Sequence, residues 1–359
     1  MPPLGRIEFG GPDLAPRRLR DILQHHVDRS PPGSRIDWAT YYFRDRALAE
    51  ALMRASDRGV RVRLVLESDP RRPGANDAVI AMLTAHGLGG GLYLHAGGPG
   101  AGAPGHLHAK IYAFSAPEIA WVGSFNPSGD EPEDRAVIDE IGDQDRGHNL
   151  LLGIERPRLI AALRRFIDQL ACPPRLPLFW RPMAYWRVRD GDTKLYFYPR
   201  QITLIAELEI ARLRKGDRVR GAISHLKKGP LSKVLARAAR IGVRVSLLVH
   251  DTTRRVSPKV VAQLVSAGVD IRRVHHPDGL PMHAKFLLID KGKASSAWLG
   301  SYNFNHASRL ANAELLLRTT DPATIAALAV RFEWIDAMAD EADAQLAAEA
   351  PPVPLDRED

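Results

Sequence analysis

The chain has 359 residues, 45% hydrophobic and 26% charged, with a formal charge of +8, which is the balance of an ordinary soluble globular protein. Its length suits two domains or one large pseudo-symmetric body. A single cysteine, Cys172, excludes an internal disulfide and argues against a zinc-thiolate site. No run approaches 18 apolar residues, and MPPLGRIEFGGPDLAPRR lacks the apolar core of a secretory signal, so cytoplasmic residence is expected, with peripheral membrane contact or signal-independent export left open. Arginine outnumbers lysine forty to ten beside abundant Ala, Pro and Gly, a pattern of GC-rich coding. The basic balance suits anionic lipid or nucleic acid alike, and charge alone does not choose between them.

In chain order, residues 6–9 read as a short edge strand and 14–28 as an amphipathic helix over Leu19, Ile22, Leu23 and Val27. Residues 35–43 read as a strand ending in Tyr41, Tyr42 and Phe43. ALAEALMRASDRG then has helical spacing and stops at Gly59, a helix C-terminal glycine. A strand from Val60 to Leu66, a helix over 75–86 and the strand LYLH follow, an alternation that predicts a layered α/β fold. GGPGAGAPG at 97–105 runs into a strand rather than a helix, so it reads as a connector or lid, not a phosphate loop.

The second half repeats the plan. GVRVRLVL at 59–66 matches GVRVSLLV at 242–249, a displacement of 183, and LLLGIERPRLIAAL at 150–163 matches LLLRTTDPATIAAL at 315–328, a displacement of 165. Pro157 and Pro322 each stand near a helix start. The expected organisation is one half over residues 1–171, a linker over 172–192, a second half over 193–349 and a disordered tail at 350–359. Related halves should pack with approximate twofold symmetry.

Each half carries the same constellation: HAK at 108–110 with GSFN at 123–126, and HAK at 283–285 with GSYN at 300–303. In an extended strand His108 and Lys110 share a face, as do His283 and Lys285, while Ala109, Ile111 and Ala113, or Ala284, Phe286 and Leu288, take the opposite, buried one. Ser124 aligns with Asn126, and Ser301 with Asn303. An imidazole, an ammonium, a hydroxyl and an amide suit an anionic phosphate and nucleophilic attack on it.

These residues resemble the phospholipase D superfamily, whose signature is H-x-K with a downstream G-S-x-N. The second copy adds Asp290 and the N-x-E pair Asn312 and Glu314; the first has Ser115 in place of the aspartate. The resemblance implies an α/β fold of two pseudo-symmetric α-β-α halves, each a mixed sheet flanked by helices, with the active site at their interface. It implies that His108, Lys110, His283, Lys285 and Glu314 are catalytic, and that Asn126, Asn303, Ser124 and Ser301 hold or support the phosphate. No cofactor or metal is required, because two lysines take the cation's place.

In that family the acid of N-x-E orients a motif histidine, and the displacement of 165 aligns Asn149 with Glu314. The expectation is therefore that Glu314 holds His283 and Asn149 orients His108. A carboxylate favours imidazolium, so His283 would be the general acid and His108 the nucleophile of a double displacement through phosphohistidine. The opposite assignment stays open, because Asp139, Glu140 or Asp143 of the acidic loop could serve His108. His106 shares a strand face with His108 and is a candidate pocket residue. His225 is the counterpart of Tyr42, and these aromatics border the site or simply pack the core.

Three substrate readings follow. A phosphatidyltransferase or phospholipase acting on phospholipid at a membrane surface is favoured by two motifs in one chain, which also implies a monomer. YYFRDRALAEALMRASDRGVRVRLVL resembles the bacterial synthase branch, although Ala307 stands where that branch commonly has Arg. A metal-independent nuclease would suit the basic charge. A non-catalytic phosphate-binding protein would leave both His-Lys pairs idle.

Overall fold

The computed structural model describes residues 4–96, 105–128, 146–171, 187–199, 204–276, 279–280 and 282–346. In the first half these form β1 (Ile7–Phe9), α1 (Arg18–Arg29), β2 (Arg35–Thr40), α2 (Arg46–Asp57), β3 (Arg61–Glu67), α3 (Asp77–His86), β4 (Leu92–His95), β5 (Ile111–Ser115), β6 (Glu118–Gly123), β7 (Leu150–Ile154) and α4 (Pro157–Ala171). The second half continues with β8 (Arg187–Asp190), β9 (Thr193–Tyr198), α5 (Ile205–Ile210), β10 (Arg218–Ile223), α6 (Pro230–Arg240), β11 (Arg244–His250), α7 (Pro258–Val265), β12 (Asp270–Val274), β13 (Lys285–Lys291), β14 (Ala294–Gly300), α8 (His306–Leu310), β15 (Glu314–Thr319) and α9 (Pro322–Leu346).

Local chemistry sets several boundaries. Asp45 caps α2 by accepting from the Leu48 amide at 2.8 Å, and the chain leaves that helix through Gly59 at φ +88°, a left-handed value that only glycine adopts without strain. Pro157 and Pro322 open α4 and α9, where a missing N–H costs no hydrogen bond.

The first sheet runs β1-β7-β6-β5-β2-β3-β4, and the second, read from β8, runs β8-β9-β15-β14-β13-β10-β11-β12. Apart from the added β8, the two orders are the same, with β2, β3 and β4 parallel as are β10, β11 and β12. This is the expected pair of mixed sheets flanked by helices. Residues 187–190, expected in the linker, instead form β8, because their backbone pairs with β9 at the sheet edge. Residues 172–186 of that linker, with Cys172, the loop at 97–104, the acidic loop at 129–145 and the tail lie outside the described residues.

The pleat sorts each strand's side chains between two cores. Ala109, Ile111 and Ala113 of one half, with Ala284, Phe286 and Leu288 of the other, fall in a single buried cluster with the apolar faces of α4 and α9. The opposite faces pack outward: Trp38, Tyr112 and Trp121 beneath α1, α2 and α3, and Val219, Leu247 and Trp298 beneath α5, α6 and α7. Each fully buried large apolar side chain contributes about 2 kcal/mol. A continuous inner core therefore makes the halves one body. Two arginines lock the ends. Arg331 of α9 donates to both carboxylate oxygens of Asp13 (3.0 and 2.8 Å) and lies 4.5 Å from the centre of the Trp334 ring, and Arg156 donates to Asp192 at 2.6 Å.

Candidate active site

The two H-x-K segments sit just ahead of β5 and at the start of β13, at the ends of the two central strands. There the halves exchange backbone hydrogen bonds. The His108 amide donates to the Ala313 carbonyl and the Ala313 amide to the His106 carbonyl, both at 2.9 Å, while the His283 amide donates to the His148 carbonyl at 3.0 Å. Each H-x-K segment thus runs parallel to the other half's downstream segment, with Leu107 beside Ala313 and His148 beside Met282.

This exchange overturns one expectation. Nδ1 of His108 donates to Glu314 Oε2 at 2.9 Å, and Nδ1 of His283 donates to Asn149 Oδ1 at 3.0 Å. Glu314 therefore serves His108, not His283, and Asn149 serves His283, not His108. The physical reason is the crossed pairing: a strand bonded to the opposite half carries its side chains to the opposite histidine. The loop acids Asp139, Glu140 and Asp143 lie outside the described residues, and Glu314 occupies the nitrogen they would have taken. With both Nδ1 atoms held, Nε2 of each ring is left for the cavity.

Glu314 is fully buried and receives two further hydrogen bonds, from Ser301 Oγ at 2.5 Å and Ser308 Oγ at 2.6 Å. Burial alone would raise its carboxyl, but His108, Lys110 and Ser301 outweigh this and hold it below its ordinary value. Burial pushes His108 down to about 4, with Lys110 adding to the effect and Glu314 opposing it. Burial likewise drives His283 well below its ordinary value, aided by Lys285 and Arg255. Both rings are neutral at pH 7. The carboxylate therefore does not make its histidine an imidazolium in advance, as the sequence reading assumed.

Lys110 and Lys285 are buried, each ammonium folding back on its own histidine's carbonyl, at 2.6 and 2.7 Å. Burial lowers Lys110 to about 7 against the pull of Glu314, and lowers Lys285 with help from Lys110 and Arg255. Such ammoniums are poised for a phosphate, whose charge restores what burial removed.

The remaining predicted residues divide. Asn303 borders the cavity and accepts from Ser224 Oγ at 3.3 Å. Asn126, its counterpart in the other half, is buried and accepts from the Tyr42 amide at 3.3 Å. Ser124 and Ser301, expected among the phosphate-binding groups, turn into the protein instead: their hydroxyls accept from the Leu150 and Leu315 amides at 3.1 and 3.0 Å. They splice one strand to the next, and Ser301 also steadies Glu314. The preceding glycines follow from the same splice, since a Cβ on Gly123 or Gly300 would strike the Leu150 or Leu315 carbonyl. Asp290 is bonded to Ser295 and Arg220 within the sheet, which explains why Ser115 can replace it by accepting from the Arg35 amide.

Both histidines open onto one cavity of about 690 Å³, also bordered by Tyr41, Tyr42, His106, His225, Asn312 and five cations, Arg71, Lys227, Lys228, Arg254 and Arg255. No Asp or Glu is among the described residues that line it. Asn312 accepts from the His106 amide at 3.1 Å, another bond between the halves. Tyr41, Tyr42 and His225 border the cavity, one of the two places the sequence reading offered them, whereas that reading missed Ser308 and the arginines. A signal for the last existed, because Arg71-Arg72 and Arg254-Arg255 share the displacement of 183. Nothing in the sequence marked Ser308. Among the described residues no group of three His, Cys, Asp or Glu could hold a metal ion, and no helix is long and apolar enough to cross a membrane.

A family model described as "Cardiolipin synthase, PLD-like domain" matches residues 29–131 and 204–335, one segment in each half. No curated protein matches the chain. The fold is similar to that of phosphatidylserine synthase from Haemophilus influenzae Rd KW20, with a TM-score of 0.65 at 14% identity over 93% of this chain and 86% of that one. It is also similar to polyphosphate kinase from Porphyromonas gingivalis, with a TM-score of 0.59 at 16% identity; the match covers 93% of this chain but 49% of the kinase, about half its length.

Proposed function

Because this chain belongs to the family of cardiolipin synthase-type, phospholipase D-like domains, we propose that it hydrolyses or transfers a phosphodiester, with a phospholipid as substrate and a phosphohistidine as intermediate. The observation that carries this reading is the pair of imidazoles, each tied through Nδ1 to the other half, opening on one cavity with no Asp or Glu among the described residues that line it.

In the proposed sequence Nε2 of His108 attacks phosphorus, and the bond from phosphorus to the leaving alcohol breaks as His283 supplies that oxygen with a proton. His283 then takes a proton from water or an acceptor alcohol, whose oxygen displaces His108. His283 acquires its first proton as the anionic phosphate enters and offsets Lys285 and Arg255. The reason for placing His108 as nucleophile is Glu314: a neutral imidazole becomes cationic when it bonds to phosphorus, and the carboxylate 2.9 Å away stabilises that charge as it forms. Asn149, a neutral amide, orients His283 and leaves it free to give up its proton. Lys110, Lys285, Asn126 and Asn303 face the charge developing on the non-bridging oxygens.

A second reading, a nuclease of the same chemistry, is favoured by the basic rim of Arg71, Lys227, Lys228 and Arg254. One experiment separates the two. The purified chain is incubated with phosphatidylglycerol, phosphatidylcholine and single- and double-stranded DNA, and the acid-quenched protein is mapped by mass spectrometry. Turnover of lipid with an adduct on His108 is expected. Cleavage of DNA alone would install the second reading, and an adduct on His283 would reverse the histidine roles.

A further inference from the structure

The two halves differ behind their H-x-K segments. Residues 106–108 run beside Ala313, so Leu107 enters the inner core while His106 and His108 share the opposite face. Both rings meet one wall: the Tyr41 ring lies edge-on to each, 5.5 Å from His106 and 5.2 Å from His108. In the second half the place of His106 is taken by Pro281, so this extra imidazole belongs to one side of the cavity only.

Behind His106 stands a carboxylate that neither histidine of the proposed mechanism uses. Glu67, at the end of β3, is fully buried. Its Oε2 accepts from the Leu107 amide at 2.7 Å and from His95 Nδ1 at 3.3 Å, and its Oε1 from the Asp69 amide at 3.1 Å. Burial alone would raise this carboxyl, but His106, His95 and the two amides outweigh it and hold it at about 2. The displacement of 183 puts His250 where the first half has Glu67, so the second half has no carboxylate at this place. Nδ1 of His106 is buried, lies 3.8 Å from Glu67 Oε2 and has no hydrogen-bond partner among the described residues. A buried ring nitrogen facing a carboxylate carries its proton inward, because a lone pair there would be repelled. Nε2 is then left for the cavity that His106 lines. Once a phosphate oxygen meets that nitrogen, the ring lies between two anionic acceptors, and only imidazolium donates to both.

Position fixes the role. Residues two apart on one strand face stand about 7 Å apart. In an in-line displacement the nucleophile and the leaving oxygen take opposite apical places on phosphorus. A group beside His108 therefore reaches the equatorial oxygens, not the leaving alcohol. We propose that His106 is a further catalytic residue, donating from Nε2 to an equatorial phosphate oxygen, with Glu67 as the positioning residue that lets it do so as imidazolium. This rests on the phosphodiester chemistry proposed above, and it adds a third cation beside Lys110 and Lys285.

A double-variant cycle on phosphoenzyme formation from p-nitrophenyl and alkyl diesters tests it. His106→Gln should slow that step about tenfold or more, by the same factor for both leaving groups. Glu67→Gln, which keeps an acceptor for the Leu107 amide, should cost about as much alone, but less than about threefold in a His106→Gln background. Three results would overturn the proposal: a His106→Gln loss under threefold, a loss confined to the alkyl diester, or a Glu67→Gln loss that persists in full without His106. The last would mean that the carboxylate serves only the backbone of the H-x-K segment. Should Glu67→Gln fail to fold, the full-length protein still decides by ring-nitrogen NMR, with His106 assigned by its loss in His106→Gln. With saturating inorganic phosphate at neutral pH both nitrogens should read as imidazolium, and a neutral ring would overturn the proposal. Failure to turn over any phosphodiester would instead sink the reading it rests on and leave this measurement to judge His106.

Discussion

Replacing Glu314 by Gln tests the reason for placing the nucleophile at His108. The change keeps volume in a fully buried position where three donors converge: His108 Nδ1, Ser301 Oγ and Ser308 Oγ. Glutamine offers one acceptor to His108, and its amide can be met by a rotated serine hydroxyl, so the ring stays oriented. What is lost is charge. A carboxylate about 4 Å from a cationic imidazole contributes roughly 4 kcal/mol at an effective dielectric of 20, and the retained hydrogen bond returns about 1. The remaining ~3 kcal/mol corresponds to about a hundredfold in rate. The loss should appear in the pre-steady-state formation of the phosphoenzyme from a p-nitrophenyl diester, because attack is the step that makes the ring cationic. Asn149→Ala should spare that step and slow only substrates with poor alcohol leaving groups. Phosphoenzyme formation slowed less than about threefold by Glu314→Gln, with the deficit confined to poor leaving groups, would mean that His108 is the acid.

Other consequences are more direct. With His108 held at about 4, phosphoenzyme formation from a p-nitrophenyl diester, which needs no proton from His283, should keep its rate down to about pH 5 and fall near pH 4, whereas a limb near 6.5 would contradict the burial of the ring. Stability carries a related signature. Burial, with His25 and Arg6, lowers His26 to about 4 against 6.5 unfolded, so its contribution is complete above pH 6.5 and is lost as pH falls toward 4; His26→Gln should flatten the melting temperature over that window, and an unchanged slope would refute it. Gly300→Ala should destabilise by about 2–4 kcal/mol in urea unfolding, because φ is +146° and the new Cβ meets the Leu315 backbone; a cost under 1 would show that the splice has room. Turnover should persist in excess chelator, since Lys110 and Lys285 supply the positive charge, and rescue of a chelated enzyme by magnesium or zinc would require another mechanism.

Much of this protein was legible in its sequence, for identifiable reasons. The alternation of Ala109, Ile111 and Ala113 against His108 and Lys110 is a period-two pattern, and a strand can satisfy it only with one face buried, as both halves do. Internal repetition made the sheet order of one half the order of the other. Even the choice of lysine stood out, since Lys110 is the sole lysine before Lys194 in a chain rich in arginine. The partners of the histidines were another matter. Alignment placed Glu314 and His283 in one half, and nothing local distinguishes that pairing from the crossed one. Only the docking of the halves, with the His108 amide on the Ala313 carbonyl and the His283 amide on the His148 carbonyl, gives the carboxylate to His108. The same docking gathers Arg71, Arg254 and Arg255 and hides Ser308 behind Glu314. Residue types and periods are properties of one strand and are written along it. Which side chain meets which across a twofold interface depends on backbone pairing between distant segments, and that is decided when the inner core closes.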